Sequence, residues 1–149
     1  MPNWVLAAAA PLGFAVWWAV VLCIIGWLSG WQALASRYPG SSPFEGVRRR
    51  FQRIHLGWAG YNNCVTIGTN ADGLHLSLFW LFRPGHPPIF VPWSEITARM
   101  TRKWWSTVLE LRFAAAPSIA VRLSEQLGRQ IAADAAQSWD LNEPRETGA

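Results

Sequence analysis

The sequence predicts an α+β protein: one N-terminal transmembrane helix, then a domain of about seven antiparallel strands in a bent sheet or partial barrel, capped by a C-terminal helix. Three observations carry this. Residues 1–36 hold no charged side chain, and Arg37 opens a basic stretch that runs on through Arg48, Arg49, Arg50 and Arg53. From Val47 to Leu123 apolar residues recur with period two between turn-forming clusters. After Ser124 the apolar period lengthens to four, at Leu127, Ile131, Ala135 and Trp139.

The first element is Leu12–Gly30, 19 consecutive residues without a formal charge. About 20 such residues in a helix cross the hydrocarbon core of a bilayer. Pro11 suits the first helical turn, where its missing N–H costs nothing, so the span is expected over about 11–33. A cleaved signal peptide fits poorly: there is no basic leader, the apolar run is too long, and no good small-x-small site precedes a mature start. The positive charges lie after the span and none lies before it. This predicts a single pass through an inner membrane, N-terminus outside and C-terminal domain in the cytoplasm.

Ala15, Ala19, Cys23, Gly26, Gly30 and Ala33 are spaced 4, 4, 3, 4 and 3, one helical stripe of small residues that includes a GxxxG. Such stripes let helices approach closely in lipid, so association with another membrane protein, or with a second copy, is expected there. Trp27 and Trp31 suit the cytoplasmic aromatic belt, beside Arg37 and Arg48–Arg53 at the headgroups. Trp17 and Trp18 lie deeper, where an indole N–H meets no water. Either they find a protein, lipid-carbonyl or cofactor partner, or the helix tilts to bring them to an interface.

Residues 37–43 read as a turn-rich linker, and the domain as residues 44–140. Ile54 and Leu56 alternate with Arg53 and His55 in a first strand. A loop over Gly57–Asn63 leads to a hairpin in which Asp72-Gly73 is the turn and Leu74, Leu76 and Leu78 face inward, leaving His75 outward. Ile89–Trp93, Arg99–Lys103, Thr107–Phe113 and Ser118–Leu123 are further strands. Ser124 is placed to cap the final helix. Residues 141–149 read as a flexible acidic tail.

Seven strands and a terminal helix resemble the pleckstrin-homology-like fold, including its GRAM-type variants, over residues 44–140. The likeness rests on the hairpin Val65–Leu78, on Ile89-Phe90-Val91-Pro92-Trp93-Ser94-Glu95-Ile96, and on the strand and helix Ser118–Trp139. The string GLHLSLFWLFRPGHPPIFVPWSEI is also similar to small bacterial membrane-anchored proteins. The resemblance implies a binding domain. Many relatives hold phosphoinositides in a basic first hairpin loop, but Gly57–Asn63 contains no Lys or Arg, so that pocket does not carry over.

Catalysis has no visible basis. Phosphate-binding, dinucleotide-binding and nucleophile-elbow motifs are missing from the sequence. His55, His75 and His86 share no metal-ligand spacing, and Glu95 and Glu110 fall in different elements. Cys23 and Cys64 are separated by the bilayer, so no intrachain disulfide is expected, in keeping with a reducing compartment. The net charge of +4 is modest and its basic part is held at a membrane, which disfavours nucleic acid.

Two segments ask for more than a plain core. Phe79-Trp80-Leu81-Phe82-Arg83 is apolar on both faces, which fits burial on both sides or an exposed edge against a bilayer or partner. Arg99, Arg102 and Lys103 run directly into Trp104-Trp105, a combination suited to a membrane interface or another binding surface. The expected function is therefore a non-enzymatic accessory or scaffold subunit without cofactor or metal. The alternative is anionic-lipid headgroup binding through Arg48–Arg53 and Arg99–Lys103.

Overall fold

The computed structural model describes residues 2–40, 44–103, 106–135 and 145–146. It has the expected layout: a long apolar helix, an open antiparallel sheet of seven strands, and a helix after the last of them. Helix α1 spans Asn3–Leu28 and α2 spans Trp31–Arg37. The strands are β1 Val47–Leu56, β2 Ala59–Thr69, β3 Gly73–Leu78, β4 Ile89–Pro92, β5 Ile96–Lys103, β6 Ser106–Phe113 and β7 Ala116–Ser124, followed by α3 Glu125–Ala135. A two-residue strand, β8 Arg145–Glu146, lies parallel to β5. The order across the sheet is β4-β3-β2-β1-β7-β6-β5-β8. The two halves join where His55 and Leu56 pair with Arg122 and Val121.

α1 is long and apolar enough to cross a membrane. It starts earlier than expected, because Trp4–Ala10 includes four alanines, the strongest helix formers. Pro11 therefore lies inside the helix rather than in its first turn. The helix also ends earlier. Gly30 has φ +91°, a conformation glycine adopts without penalty, and the chain turns there into α2. The six small residues thus do not share one helix: Gly30 is the hinge, and Ala33 is exposed on α2.

α2 belongs to the domain. Trp31 and Leu34 have no exposed surface, and Tyr38 is buried with them in the core. The expected linker starts as part of the sheet's edge: Phe90 N–H donates to Tyr38 O at 3.0 Å and Gly40 N–H donates to Pro88 O at 2.9 Å. These bonds cover β4, which would otherwise present an unpaired edge.

The hairpins are compact. Leu56 pairs with Ala59, so the first loop is only Gly57-Trp58, and Gly57 at φ +57° makes so tight a turn accessible. The residues expected as loop at 59–63 are strand. In the second hairpin Thr69 pairs with Leu74 around Asp72, and Asn70 Oδ1 accepts from the N–H groups of Asp72 and Gly73. Leu74, Leu76 and Leu78 face the core as their spacing predicts. His75, expected outward, is buried because Phe44 folds over that face and stacks on its ring at 4.6 Å. Ser124 Oγ accepts from Leu127 N–H at 3.2 Å and caps α3, which sets Leu127 and Ile131 into the core. Trp139 lies outside the described residues.

Candidate functional site

The helix meets the domain along the turn between β3 and β4, and glycine makes the approach close. A Cβ on Gly26 would stand 2.3 Å from Gly85 O, and one on Gly85 would stand 2.4 Å from Cys23 Cα. The small face of α1 is thus filled at Gly26 by this chain's own backbone, while Cys23 beside it stays exposed. Ala15, farther up, is exposed, and Ala19 is half-buried.

Polar contacts fix the joint. Trp18 Nε1–H donates to Leu81 O at 2.9 Å, Trp31 Nε1–H to Pro87 O at 2.8 Å, and Trp58 Nε1–H to Leu28 O at 3.1 Å. Below them runs a buried chain: Ser29 Oγ lies 2.9 Å from Tyr61 Oη, which lies 2.9 Å from His86 Nε2. His86 Nδ1 is 3.0 Å from Pro84 O. A carbonyl only accepts, so Nδ1 carries the proton and Nε2 accepts from Tyr61. Burial holds the His86 pKa below the ordinary histidine value, only partly opposed by its bond to Pro84 O, so the ring is neutral at pH 7. Burial likewise raises the Tyr61 phenol, although the Ser29 hydrogen bond favours the ionised form. The chain is therefore a neutral positioning network.

Beside the joint, on the outer face of β1–β3, is an open pocket of about 370 Å³. Thr66 and Ser77 are cross-strand partners on its floor, and Arg48, Arg50 and Arg83 stand around it. Among the described residues its lining contains no carboxylate. Phe51, Phe79 and Trp80 form an aromatic rim, with Phe51 and Phe79 6.1 Å apart. The backbone places these groups with some strain: β1 is irregular between Arg49 and Ile54, and Phe51 sits at φ +57°. That irregularity re-aims the basic stretch, as bulges do.

Two of the three arginines are committed to carbonyls. Arg48 donates to Phe44 O and lies 5.9 Å from the centre of the Phe44 ring, and Arg83 Nε–H donates to Leu78 O at 3.0 Å. Arg50 has no side-chain hydrogen bond or ion pair among the described residues. Three guanidinium groups and two hydroxyls are groups whose chemistry complements a phosphate or similar anion. Cys64 also lines the pocket, but burial pushes its thiol up, so it is protonated and weakly nucleophilic at neutral pH. Among the described residues no three His, Cys, Asp or Glu side chains gather as a metal site would require.

The basic stretch is split by the structure. Arg49 points the other way and pairs with Asp134 of α3, which also accepts from Thr69 Oγ1 at 3.1 Å. Arg37 is exposed on α2 and Arg53 on β1. Trp27 is exposed, as an interfacial ring must be, whereas Trp31 is enclosed by Tyr61 and His86 and cannot reach lipid. Arg99 and Arg102 are exposed on β5, separated from β1 by β6 and β7, so they do not join the pocket. Trp104 and Trp105 lie outside the described residues.

Sequence reasoning missed Ser29, Tyr61 and His86 as a unit, and Thr66, Ser77 and Phe44 as pocket residues. Alternation did put Thr66 and Ser77 on the outer face, opposite the leucines. That was the signal available, and only the cations brought above them give it meaning.

No family model, curated protein or solved structure matches this chain.

Proposed function

We propose that this chain is a single-span membrane protein that holds a pleckstrin-homology-like domain at the cytoplasmic face, and that the domain binds the phosphate of an anionic lipid headgroup. The observation that carries this reading is the pocket: Arg48, Arg50 and Arg83 over Thr66 and Ser77, without an acid among the described residues, rimmed by Phe51, Phe79 and Trp80. Cations and hydroxyls match a phosphate, and exposed aromatic rings match the lipid region beneath it. The strand order and the terminal helix support the pleckstrin-homology-like assignment. The cytoplasmic orientation rests on the five arginines of residues 37–53.

This reading ranks headgroup binding above a scaffold role. Part of the expected helix-packing stripe is already used, because Gly26 is covered by Gly85 and His86, whereas the pocket stands open.

The test uses the full chain in mild detergent, titrated with short-chain phosphatidylglycerol or short-chain phosphatidylcholine by calorimetry. The anionic lipid binds more tightly, and the preference shrinks with added salt. Each exposed cation near a membrane surface contributes about 1 kcal/mol, so Arg50→Gln weakens phosphatidylglycerol binding by roughly fivefold. Equal affinity for the two lipids, or an Arg48→Gln/Arg50→Gln variant that binds like the parent, would refute the proposal.

A further inference from the structure

We infer that the turn Phe79–Phe82 is itself embedded in the bilayer, a second, non-helical membrane contact beside α1. The inference rests on α1 being the membrane anchor, and it follows from where the helix is tied to the domain.

A bilayer core takes about 20 helical residues, and α1 has 26. The core can therefore begin no earlier than residue 3, ending at 22, and no later than residue 9, ending at 28. Every such window contains residue 18. In the shallowest placement Trp18 is four residues inside the cytoplasmic edge, about 6 Å at 1.5 Å per residue. Tilting the helix lengthens the window and carries Trp18 deeper.

Trp18 is bound to the turn. Its indole N–H reaches Leu81 O at 2.9 Å, and its ring lies 5.8 Å from that of Phe82. The turn consequently shares its depth. The side chains there suit lipid: Phe79, Trp80 and Leu81 are 38%, 65% and 41% exposed, and Phe14 and Trp17 of α1 are exposed as well.

The backbone suits it as well. Irregular backbone is tolerated at hydrocarbon depth where protein covers it, and this turn lies against α1 with three of its carbonyls paired. Phe79 O accepts from Phe82 N–H at 2.8 Å, Trp80 O accepts from Arg83 N–H at 3.4 Å, and Leu81 O is taken by Trp18. The indole that lacked water finds its partner in this turn. Arg83, the first charge after it, folds back onto Leu78 O and into the pocket at the headgroup side. The pocket's aromatic rim and the turn are the same residues, so its mouth opens at the level where acyl chain meets headgroup.

Site-directed spin labelling of the full chain in phospholipid vesicles tests this. In a Cys23→Ser, Cys64→Ala background, single labels are placed by Phe14→Cys on α1, Trp80→Cys and Leu81→Cys on the turn, and Gln130→Cys on exposed α3. Collision with oxygen reports lipid, and collision with a water-soluble nickel chelate reports solvent. Labels at 80 and 81 are expected to favour oxygen as the label at 14 does, with the reverse at 130. If 14 favours oxygen while 80 and 81 match 130, the turn is outside the bilayer and this inference fails while the anchor stands. If 14 also matches 130, the anchor reading fails with it. If 80 and 81 are immobilised and shielded from both reagents, a protein covers the turn and the lipid assignment is wrong.

Discussion

Gly26→Ala probes the joint between helix and domain most directly. The added Cβ would lie 2.3 Å from Gly85 O, 3.1 Å from Gly85 C and 3.2 Å from His86 Cε1. Two of these are backbone atoms, which cannot swing aside. If the turn stays docked, the crowding costs about 1–3 kcal/mol, as overpacking does elsewhere. If the helix lifts away, it gives up the Trp18–Leu81 and Ser29–Tyr61 hydrogen bonds, about 1 kcal/mol each. Either route costs about 2 kcal/mol, or roughly 4–8 °C in melting temperature for a chain of this size. The assay is thermal melting of the full chain in mild detergent, followed by circular dichroism of the sheet. Gly13→Ala is the control. Nothing lies within 4 Å of its Cβ, and alanine in a helix interior is favourable by about 1 kcal/mol. A Gly26→Ala protein that melts with the parent would show that the helix is not seated on the turn, and the argument for the joint would collapse.

Acid should loosen the same joint. The folded pKa of His86 lies below its unfolded value of about 6.5, so the unfolded chain binds the proton first. The contribution of neutral His86 is fully present above about pH 6.5 and is lost as pH falls towards the folded pKa. Melting temperature should decline over that window, and a His86→Leu variant should show a flatter decline. Trp31→Ala should cost about 3–5 kcal/mol, because the ring has no exposed surface. By the same reasoning a chain beginning at Phe44, without α2, should fail to give a cooperative melt; a sharp transition there would show that α2 is an accessory. A reporter active only in the periplasm, fused after Ala149, should stay silent, and strong activity would reverse the proposed topology.

Much of the fold was legible because each element carries its own period. Leu74, Leu76 and Leu78 announce a strand, Asp72-Gly73 announces its turn, and Ser124 with Leu127 and Ile131 announces a capped helix. What failed were contacts between segments distant in sequence. His75 sits in a polar position by alternation, and only Phe44, arriving from 31 residues earlier, buries it. Gly26 and Gly30 read as surfaces for another helix, yet one faces a loop of this chain and the other is a hinge. Local spacing identifies small residues but not what comes close to them. The pocket was half legible: the arginines stood out, but their division between Arg49 on α3 and Arg48, Arg50 and Arg83 around the cavity depends on the irregular stretch of β1.

The placement of α2 bears on how the chain reaches this state. Trp31 is held by Pro87, Tyr38 by Ala115, and Leu56 by Val121, so partners are separated by 56, 77 and 65 (121 − 56) positions. Bringing such remote stretches together is slow, because loop closure must precede any reward from contact. The core residues of α2 leave the ribosome before β7 and wait for it. Until then Trp31, Leu34 and the edge of β1 stand open, a form vulnerable to self-association.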